Sequence, residues 1–192
     1  MAANLVHELG LLARIPRSGL SFLGSGRQSV AEHSHRMACI ALILARRCDQ
    51  PVDEAGLLRL CLFHDLPEAR TGDQNYVNRK YVRVDEDRLL ADIEAASSLG
   101  PELRATIEEF ERGASLEARL ARDADQIELL ALLREEADLG NPRAGAWIAS
   151  CRQRVVTAAG QSLADEVLAT PADEWWFGDK GDAHWVTASD TD

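Results

Sequence analysis

His64 and Asp65 stand side by side directly after residues 57–63, which are apolar except for Arg59. Burying an imidazole next to a carboxylate is costly unless a hydrogen-bond partner or a cation compensates for the lost water. Glu68 follows four residues after His64, so on a continuous helix it would project towards the same cavity. Taken alone, a structural His–Asp pair at a helix end is the commoner explanation.

His33 and Asp125 each begin a stripe of apolar residues at helical spacing. Apolar residues follow both positions at intervals of four, seven and eight, so both side chains are expected to point towards the core. His35 and Asp123 lie two positions away from them and are expected to face elsewhere. A lone inward histidine is more often a hydrogen-bonded core residue, and a buried aspartate needs a cation or several donors.

These sites together favour a metal centre over separate structural roles. Three helices would direct two imidazoles and two carboxylates inward, and such a mixed set suits Mn, Fe, Co, Ni or Zn. Coordination positions left open for water and substrate would make the site catalytic. We therefore predict one divalent metal ion, with Mg also open as its identity.

The elements that must position these residues are predicted to be helices. Few runs are β-branched and aromatic residues make up only 5% of the chain, which favours an all-α fold. Ser29 and Glu32 have the spacing of a capping box, which predicts a helix from there to about Cys48. The other predicted helices cover about residues 4–15, 53–69, 85–98, 101 onwards, 115–139, 141–160 and 162–169, with an ordered loop at 71–84. The expected architecture is a compact helical bundle with short connections.

Length and composition predict one domain with a short tail. We assign residues 1–170 to the domain and residues 171–192 to an acidic tail that contains Trp175, Trp176 and Trp185. The four cysteines form no C-x-x-C pair and no secretory signal precedes them, which predicts free, mostly buried thiols in a cytoplasmic protein. No stretch approaches the roughly 18 apolar residues of a membrane span, so no membrane partner is expected.

The net charge of −11 disfavours binding along a nucleic acid polymer. A small phosphorylated substrate remains compatible with this charge where a metal or an arginine reverses the field locally. Arg79, Lys80 and Arg83 add positive charge to the predicted loop and would attract such a substrate, although a solvated basic patch is the commoner explanation.

The order His, then His-Asp, then Asp on successive helices resembles the HD-domain superfamily of metal-dependent phosphohydrolases. The stretches RIPRSGL, SVAEHSHRMA, HDLPEARTGD and DADQIELL are similar to the branch that includes 5'-deoxynucleotidases. The resemblance extends over about residues 9–133. It implies an HD-type helical bundle, a homodimer, and hydrolysis of (deoxy)nucleoside 5'-monophosphates to nucleoside and phosphate.

The resemblance also implies roles for individual residues. It makes Glu68 the residue that activates or positions the attacking water, places Asp73 beside the nucleotide as a second catalytic residue, and makes Arg17 the contact to the phosphate. The implied metal ligands are His33, His64, Asp65 and Asp125. The implied contacts of the substrate loop are Gln74, Asn75 and Tyr76.

The branch often has a tryptophan beside the arginine, associated with the sugar. This chain has Ser18, Gly19 and Leu20 there instead, so the resemblance does not extend to sugar discrimination.

Three alternatives stay open from the sequence. The first is an HD hydrolase of another phosphate ester, such as a guanosine alarmone or a cyclic nucleotide. The second is a non-catalytic HD regulatory module. The third is a helical interaction protein whose Trp175–Trp176 pair docks a partner.

Overall fold

A reciprocal cap begins the helix that contains His33. In the computed structural model, which describes residues 2–96 and 99–179, the Ser29 hydroxyl accepts the backbone N–H of Glu32, and the Glu32 carboxylate accepts the backbone N–H of Ser29 at 2.7 Å. This pair satisfies two backbone donors that a helix start leaves free. The predicted capping box is confirmed, and the helix α3 covers Val30–Arg47.

The remaining helices follow the expected all-α pattern. In chain order they are α1 Ala2–Leu11, α2 Leu20–Leu23, α4 Glu54–Phe63, α5 Glu68–Thr71, α6 Asn78–Tyr81, α7 Glu86–Ala96, α8 Gly100–Arg112, α9 Leu116–Asp138, α10 Ala144–Arg152, α11 Ala158–Ala169 and α12 Glu174–Phe177. A 3₁₀ turn, Leu12–Arg14, follows α1. The β-type pairing within the described residues is an isolated bridge between Pro16 and Ser29.

The long helix α9 lies at the centre of the bundle. It packs against α3, α4, α10 and α11 around a core of leucine, isoleucine and alanine side chains. A smaller apolar cluster around Leu66 joins α1, the start of α3, α7 and α8. Because α9 contacts both α3 and α4, residues on these three helices can meet in the interior.

The helix that leads into His64 is shorter than predicted. It ends at Phe63, and Glu68 lies in the separate helix α5. Pro67 lacks a backbone N–H and disfavours helical geometry in the residue before it, so the chain tightens into turns there. The amide of Leu66 bonds back three residues to Phe63, and the amide of Glu68 bonds back three residues to Asp65.

The predicted helix over 141–160 is also interrupted. The α10 helix ends at Arg152, and α11 begins at Ala158 because Thr157 caps it. The buried carboxylate of Asp123 accepts the N–H groups of Val156 and Thr157 at 2.8 Å, which fixes the turn. The predicted loop 71–84 contains the short helix α6.

The cysteine and tail predictions are met only in part. Cys61 and Cys151 are buried, but Cys39 is exposed, so the expectation of mostly buried thiols is wrong at that position. Trp175 is exposed in α12, whereas Trp185 lies outside the described residues. Within the described chain, no helix combines the length and apolarity that a membrane crossing requires. The boundary at residue 170 stays a prediction.

Gly160 offers a direct test of the turn between α10 and α11. A Cβ there would lie 2.3 Å from Asp123 Oδ2 and 2.9 Å from Val155 Cγ1. We expect Gly160→Ala to lower the free energy of unfolding by about 1–3 kcal/mol through overpacking. Gly145→Ala, where nothing lies within 4 Å, should instead raise it by up to about 1 kcal/mol. Urea denaturation of both variants measures the difference, and equal effects would contradict this packing.

Candidate metal centre and active site

Three of the predicted ligands meet in the interior. His33 from α3, His64 directly after α4 and Asp125 from the middle of α9 each offer a ligand atom, and these atoms lie within 4.8 Å of one another. His33 is fully buried and His64 is nearly so. The fold thus places two imidazoles and a carboxylate around one point.

His33 presents an unsatisfied nitrogen to this point. Its Nδ1 bonds to Glu128 Oε2 at 2.6 Å, which leaves Nε2 facing Asp125 Oδ1 at 3.2 Å and Asp65 Oδ2 at 3.8 Å. Nε2 is buried and forms no well-aligned hydrogen bond with any described residue. A buried polar atom left in this way is costly, and it indicates a missing proton or cation.

The electrostatics of the cluster also require positive charge. Burial lowers the pKa of His33, but the carboxylates of Asp125 and Glu128 outweigh burial and raise it to about 9. Burial raises the pKa of Asp125, yet its contact with His33 and the nearby Arg17 hold that pKa well below its usual range. Without a metal, His33 therefore binds an extra proton at neutral pH, and a divalent ion can take the place of that proton.

The His64 ring, like the His33 ring, directs its Nε2 atom towards the cluster. Its Nδ1 donates to the backbone carbonyl of Cys61 at 3.1 Å, so Nε2 is directed to the cluster, 3.1 Å from Asp65 Oδ2. Its ring lies against Phe110, with centroids 4.4 Å apart. Metal-bound histidines usually donate their other N–H to a carbonyl or carboxylate in this way. The donor set therefore fits a divalent transition metal.

Asp65 lies beside this group. Its Oδ2 accepts a hydrogen bond from Arg17 Nη1 at 3.3 Å and approaches His64. Burial raises the pKa of Asp65, but the neighbouring histidines and Arg17 lower it further, so the carboxylate is ionised. Its role as a fourth ligand stays a prediction.

Glu68 lies near the same cluster but, unlike Asp65 and Asp125, favours the protonated, neutral form. Its Oε2 is buried and has no hydrogen-bond partner among the described residues. Burial, together with the negative charges of Asp65 and Asp73, raises the pKa of Glu68 to about 9. The helix break after Phe63 does not remove Glu68 from the site, since α5 begins at this residue. A neutral carboxylic acid beside an ionised carboxylate is the arrangement that proton transfer requires.

The segment that follows Arg17 is joined to the loop that contains Asp73. The Asp73 carboxylate accepts the backbone N–H of Ser18 at 2.5 Å, and the Ser18 hydroxyl accepts from Asn75 Nδ2 at 3.0 Å. The Arg17 guanidinium lies among Asp125, Asp65, Asp73 and Glu68, whose charges raise its pKa against the effect of burial. Asp73 therefore holds in place the segment that contains Arg17 and Ser18.

A cavity of about 710 Å³ opens next to this candidate metal site. His64, Asp65 and Glu68 form part of its wall, and residues of α5, α7, α8 and the segment between α5 and α7 form the rest. Of the predicted substrate loop, Gln74 lines this cavity, whereas the Tyr76 side chain is 75% exposed with the Lys80 ammonium 4.2 Å from its ring centroid. The structure thus brings Gln74 to the cavity and leaves Tyr76 at the surface.

Comparison with known proteins assigns this arrangement to a family. The HD domain family model matches residues 9–165. The chain belongs to the HD-domain family. The 5'-deoxynucleotidase HDDC2 of Bos taurus is 31% identical over 149 residues, which cover 73% of this chain and 71% of that protein. The 5'-deoxynucleotidase HDDC2 of Homo sapiens is 30% identical over 137 residues, which cover 68% of this chain and 66% of that protein.

A solved structure shares the fold. A conserved hypothetical protein from Pyrococcus furiosus superposes with a TM-score of 0.73 at 24% identity, covering 88% of this chain and 100% of that chain. The predicted all-α bundle is confirmed, and the match of the HD domain family model makes it a bundle of the HD-domain type.

Sequence reasoning missed one buried residue of this HD domain. Glu128 is fully buried on α9, directly behind His33. It follows three residues after Asp125, which on a helix places both side chains on neighbouring faces. That spacing was the available signal, but the surrounding leucines predict a purely apolar stripe.

The raised pKa of Glu68 predicts a pH-dependent stability of the metal-free protein. Between about pH 5 and 9 the folded HD domain keeps a proton on Glu68 that the unfolded chain has released, so stability falls as pH rises through that window. Glu68→Gln removes this dependence. We expect it to melt at a higher temperature than the wild type at pH 8, and at a similar temperature at pH 5.

Thermal denaturation followed by circular dichroism, after treatment with a chelator, measures this difference. Glu111 is an exposed glutamate that lines the same cavity, so Glu111→Gln is the matched control. A melting temperature that is lower for Glu68→Gln than for the wild type at pH 8 would contradict the protonated state of Glu68.

Proposed function

We propose that this HD-domain protein is a metal-dependent phosphohydrolase that converts (deoxy)nucleoside 5'-monophosphates to nucleoside and inorganic phosphate. The observation that supports this most strongly is the cluster of two buried histidines, His33 and His64, with Asp125, beside a cavity whose wall contains Glu68. The two 5'-deoxynucleotidases at about 30% identity support the substrate class.

The metal would be held by His33, His64 and Asp125, with Asp65 as the expected fourth ligand. When bound, a divalent ion supplies Lewis-acid polarisation of a phosphoryl oxygen and lowers the pKa of a coordinated water. Its identity among Mn, Co, Fe, Ni, Zn and Mg stays open. The acidic protein needs this local positive charge, because its net charge of −11 repels a phosphate.

Arg17 would bind the phosphoryl group. Its guanidinium lies at the edge of the metal cluster, where it contacts Asp65, and its planar fork suits two phosphate oxygens at once. Charge that develops on these oxygens in the transition state would be stabilised there. The hydrogen bond from Ser18 to Asp73 holds the backbone next to Arg17 in place.

Glu68 would transfer the proton. Water attacks the phosphorus atom, the bond between phosphorus and the 5' oxygen breaks, and the proton of Glu68 passes to that oxygen. The attacking water then returns a proton to Glu68. This sequence begins from a protonated carboxyl group, which is the form that burial and the neighbouring carboxylates favour.

The cavity has a suitable size for a nucleoside. Its volume of about 710 Å³ falls in the range of small-molecule sites, which is roughly 300–1,000 Å³. Aliphatic side chains such as Val84, Leu89 and Ile107 supply an apolar wall for the base and sugar, and Arg79 and Arg83 line the opening. The homodimer stays a proposal that rests on the resemblance, and the cytoplasmic location stays a proposal that rests on the cysteine pattern.

Metal removal should abolish the activity. We expect no phosphate release from deoxynucleoside 5'-monophosphates after chelation, and recovery when Mn²⁺, Co²⁺, Mg²⁺, Ni²⁺ or Zn²⁺ is restored singly. His64→Ala should stay inactive under every condition, because it removes a ligand atom from the cluster. His35→Ala is the matched control, since His35 is an exposed histidine on α3.

Phosphate release is measured colorimetrically over deoxy- and ribonucleotides. Metal-loaded protein that releases phosphate from none of them would overturn the nucleotidase proposal and direct the search to alarmones and cyclic nucleotides.

Glu68→Gln should separate catalysis from metal binding. We expect kcat to fall by about a hundredfold to ten-thousandfold, the usual contribution of a positioned acid or base. Binding of Mn²⁺, measured by calorimetry, should stay close to that of the wild type because Glu68 is outside the ligand cluster. A kcat within threefold of the wild-type value would exclude the proposed proton transfer.

A further inference from the structure

Glu128 connects three parts of the molecule through one buried carboxylate. It is fully shielded from solvent, and each of its oxygens accepts a hydrogen bond. Oε2 accepts from His33 Nδ1 at 2.6 Å, while Oε1 accepts from Gln28 Nε2 at 2.6 Å and from Arg36 Nε at 2.7 Å. An ionised group is tolerated at such a depth only when its partners are this complete.

The contact with His33 fixes which nitrogen of the ring faces the metal centre. The Arg36 guanidinium forms an ion pair with Oε1 at 2.7 Å, which keeps the Glu128 carboxylate in the form that can only accept. The proton must therefore reside on His33 Nδ1. The Nε2 lone pair is then directed at Asp125 and cannot rotate away without breaking the 2.6 Å bond.

The contact with Gln28 extends to the loop that contains Arg17. The backbone carbonyl of Gln28 accepts the N–H of Arg17 at 2.8 Å, and its side chain donates to Glu128. The neighbouring bridge between Pro16 and Ser29 keeps these two segments side by side. Gln28 is therefore bonded to Glu128 through its side chain and to Arg17 through its backbone.

We infer that Glu128 is a positioning residue that orients His33 for metal binding and that, through Gln28, fixes the loop presenting Arg17 to a phosphate. The second half of this inference rests on the proposed function, since it assumes that Arg17 meets a phosphate. Neither Glu128 nor Gln28 touches the reacting atoms. Glu128 acts through His33, and Gln28 acts through Arg17. Metal binding and phosphate binding would then share one rigid support.

Glu136 provides the matched control for a purely structural role. It is a buried glutamate two turns further along α9, and it accepts a hydrogen bond from the Ser25 hydroxyl in the same loop. Among the described residues, its side chain forms no hydrogen bond or ion pair with His33, Gln28 or Arg17. Loss of a buried carboxylate from α9 is thus common to Glu128→Gln and Glu136→Gln, whereas loss of the bond to His33 is not.

The first arm measures Mn²⁺ binding to the full chain by calorimetry. Glu128→Gln should weaken binding about 10–100-fold, as is typical for groups that orient a metal-bound histidine, and Glu136→Gln should change it less than about threefold. Folded Glu128→Gln protein that binds Mn²⁺ like the wild type would overturn the inference, as would equal weakening by both variants.

Nitrogen-15 NMR of the histidines supplies a readout that needs no variant. In the Zn²⁺-loaded wild type, the His33 ring should carry its proton on Nδ1, the nitrogen that bonds to Glu128. A ring protonated on Nε2 would overturn the orienting role even if Glu128→Gln fails to fold.

The second arm measures binding of inorganic phosphate to the Mn²⁺-loaded protein. Gln28→Met keeps the side-chain length but removes the donor to Glu128, and it should weaken phosphate binding about threefold to tenfold. In an Arg17→Ala background the same change should have no further effect. Equal weakening in both backgrounds would overturn the link to Arg17. Neither arm uses nucleotide turnover, so failure of the nucleotidase proposal would leave both results interpretable.

Discussion

The rest of the site depends on the close approach of the buried His33 Nε2 to the ionised carboxylate of Asp125. Two electron-rich atoms 3.2 Å apart, one of them on a fully buried imidazole, are stable only with a cation or a proton between them. The Nδ1 bond to Glu128 and the Nδ1 bond of His64 to a carbonyl direct both imidazoles to this point. The packing of α3 and α4 on α9 is the scaffold that brings these groups together.

The same cluster determines the protonation of its neighbours. Asp65 and Asp125 are held ionised by the histidines and by Arg17, and their negative charge contributes to keeping Glu68 neutral. Neighbouring carboxyl groups thus take opposite protonation states because their surroundings differ, which is what the proposed division between metal binding and proton transfer requires. Arg17 faces these carboxylates from the segment before α2. A phosphate that binds to Arg17 would therefore replace one anionic partner of the guanidinium with another.

Much of this arrangement follows from local sequence rules. The Ser29–Glu32 cap and the apolar spacing after His33 and Asp125 predict which helices form and which side chains point inward. The break after Phe63 was not predicted, because it depends on how Pro67 competes with a strongly apolar run. The contacts of Glu128 could not be predicted either, because its hydrogen-bond partners His33 and Arg36 lie on α3 and meet it only where α3 packs against α9.

An anomalous difference map from a crystal of the protein grown with Mn²⁺ would show whether a metal binds at this cluster. We expect a peak within bonding distance of Nε2 of His33, Nε2 of His64 and a carboxylate oxygen of Asp125, with Asp65 or water completing the coordination. Ordered density for these side chains with no peak between them, or a peak at surface carboxylates alone, would contradict the metal centre and every role derived from it.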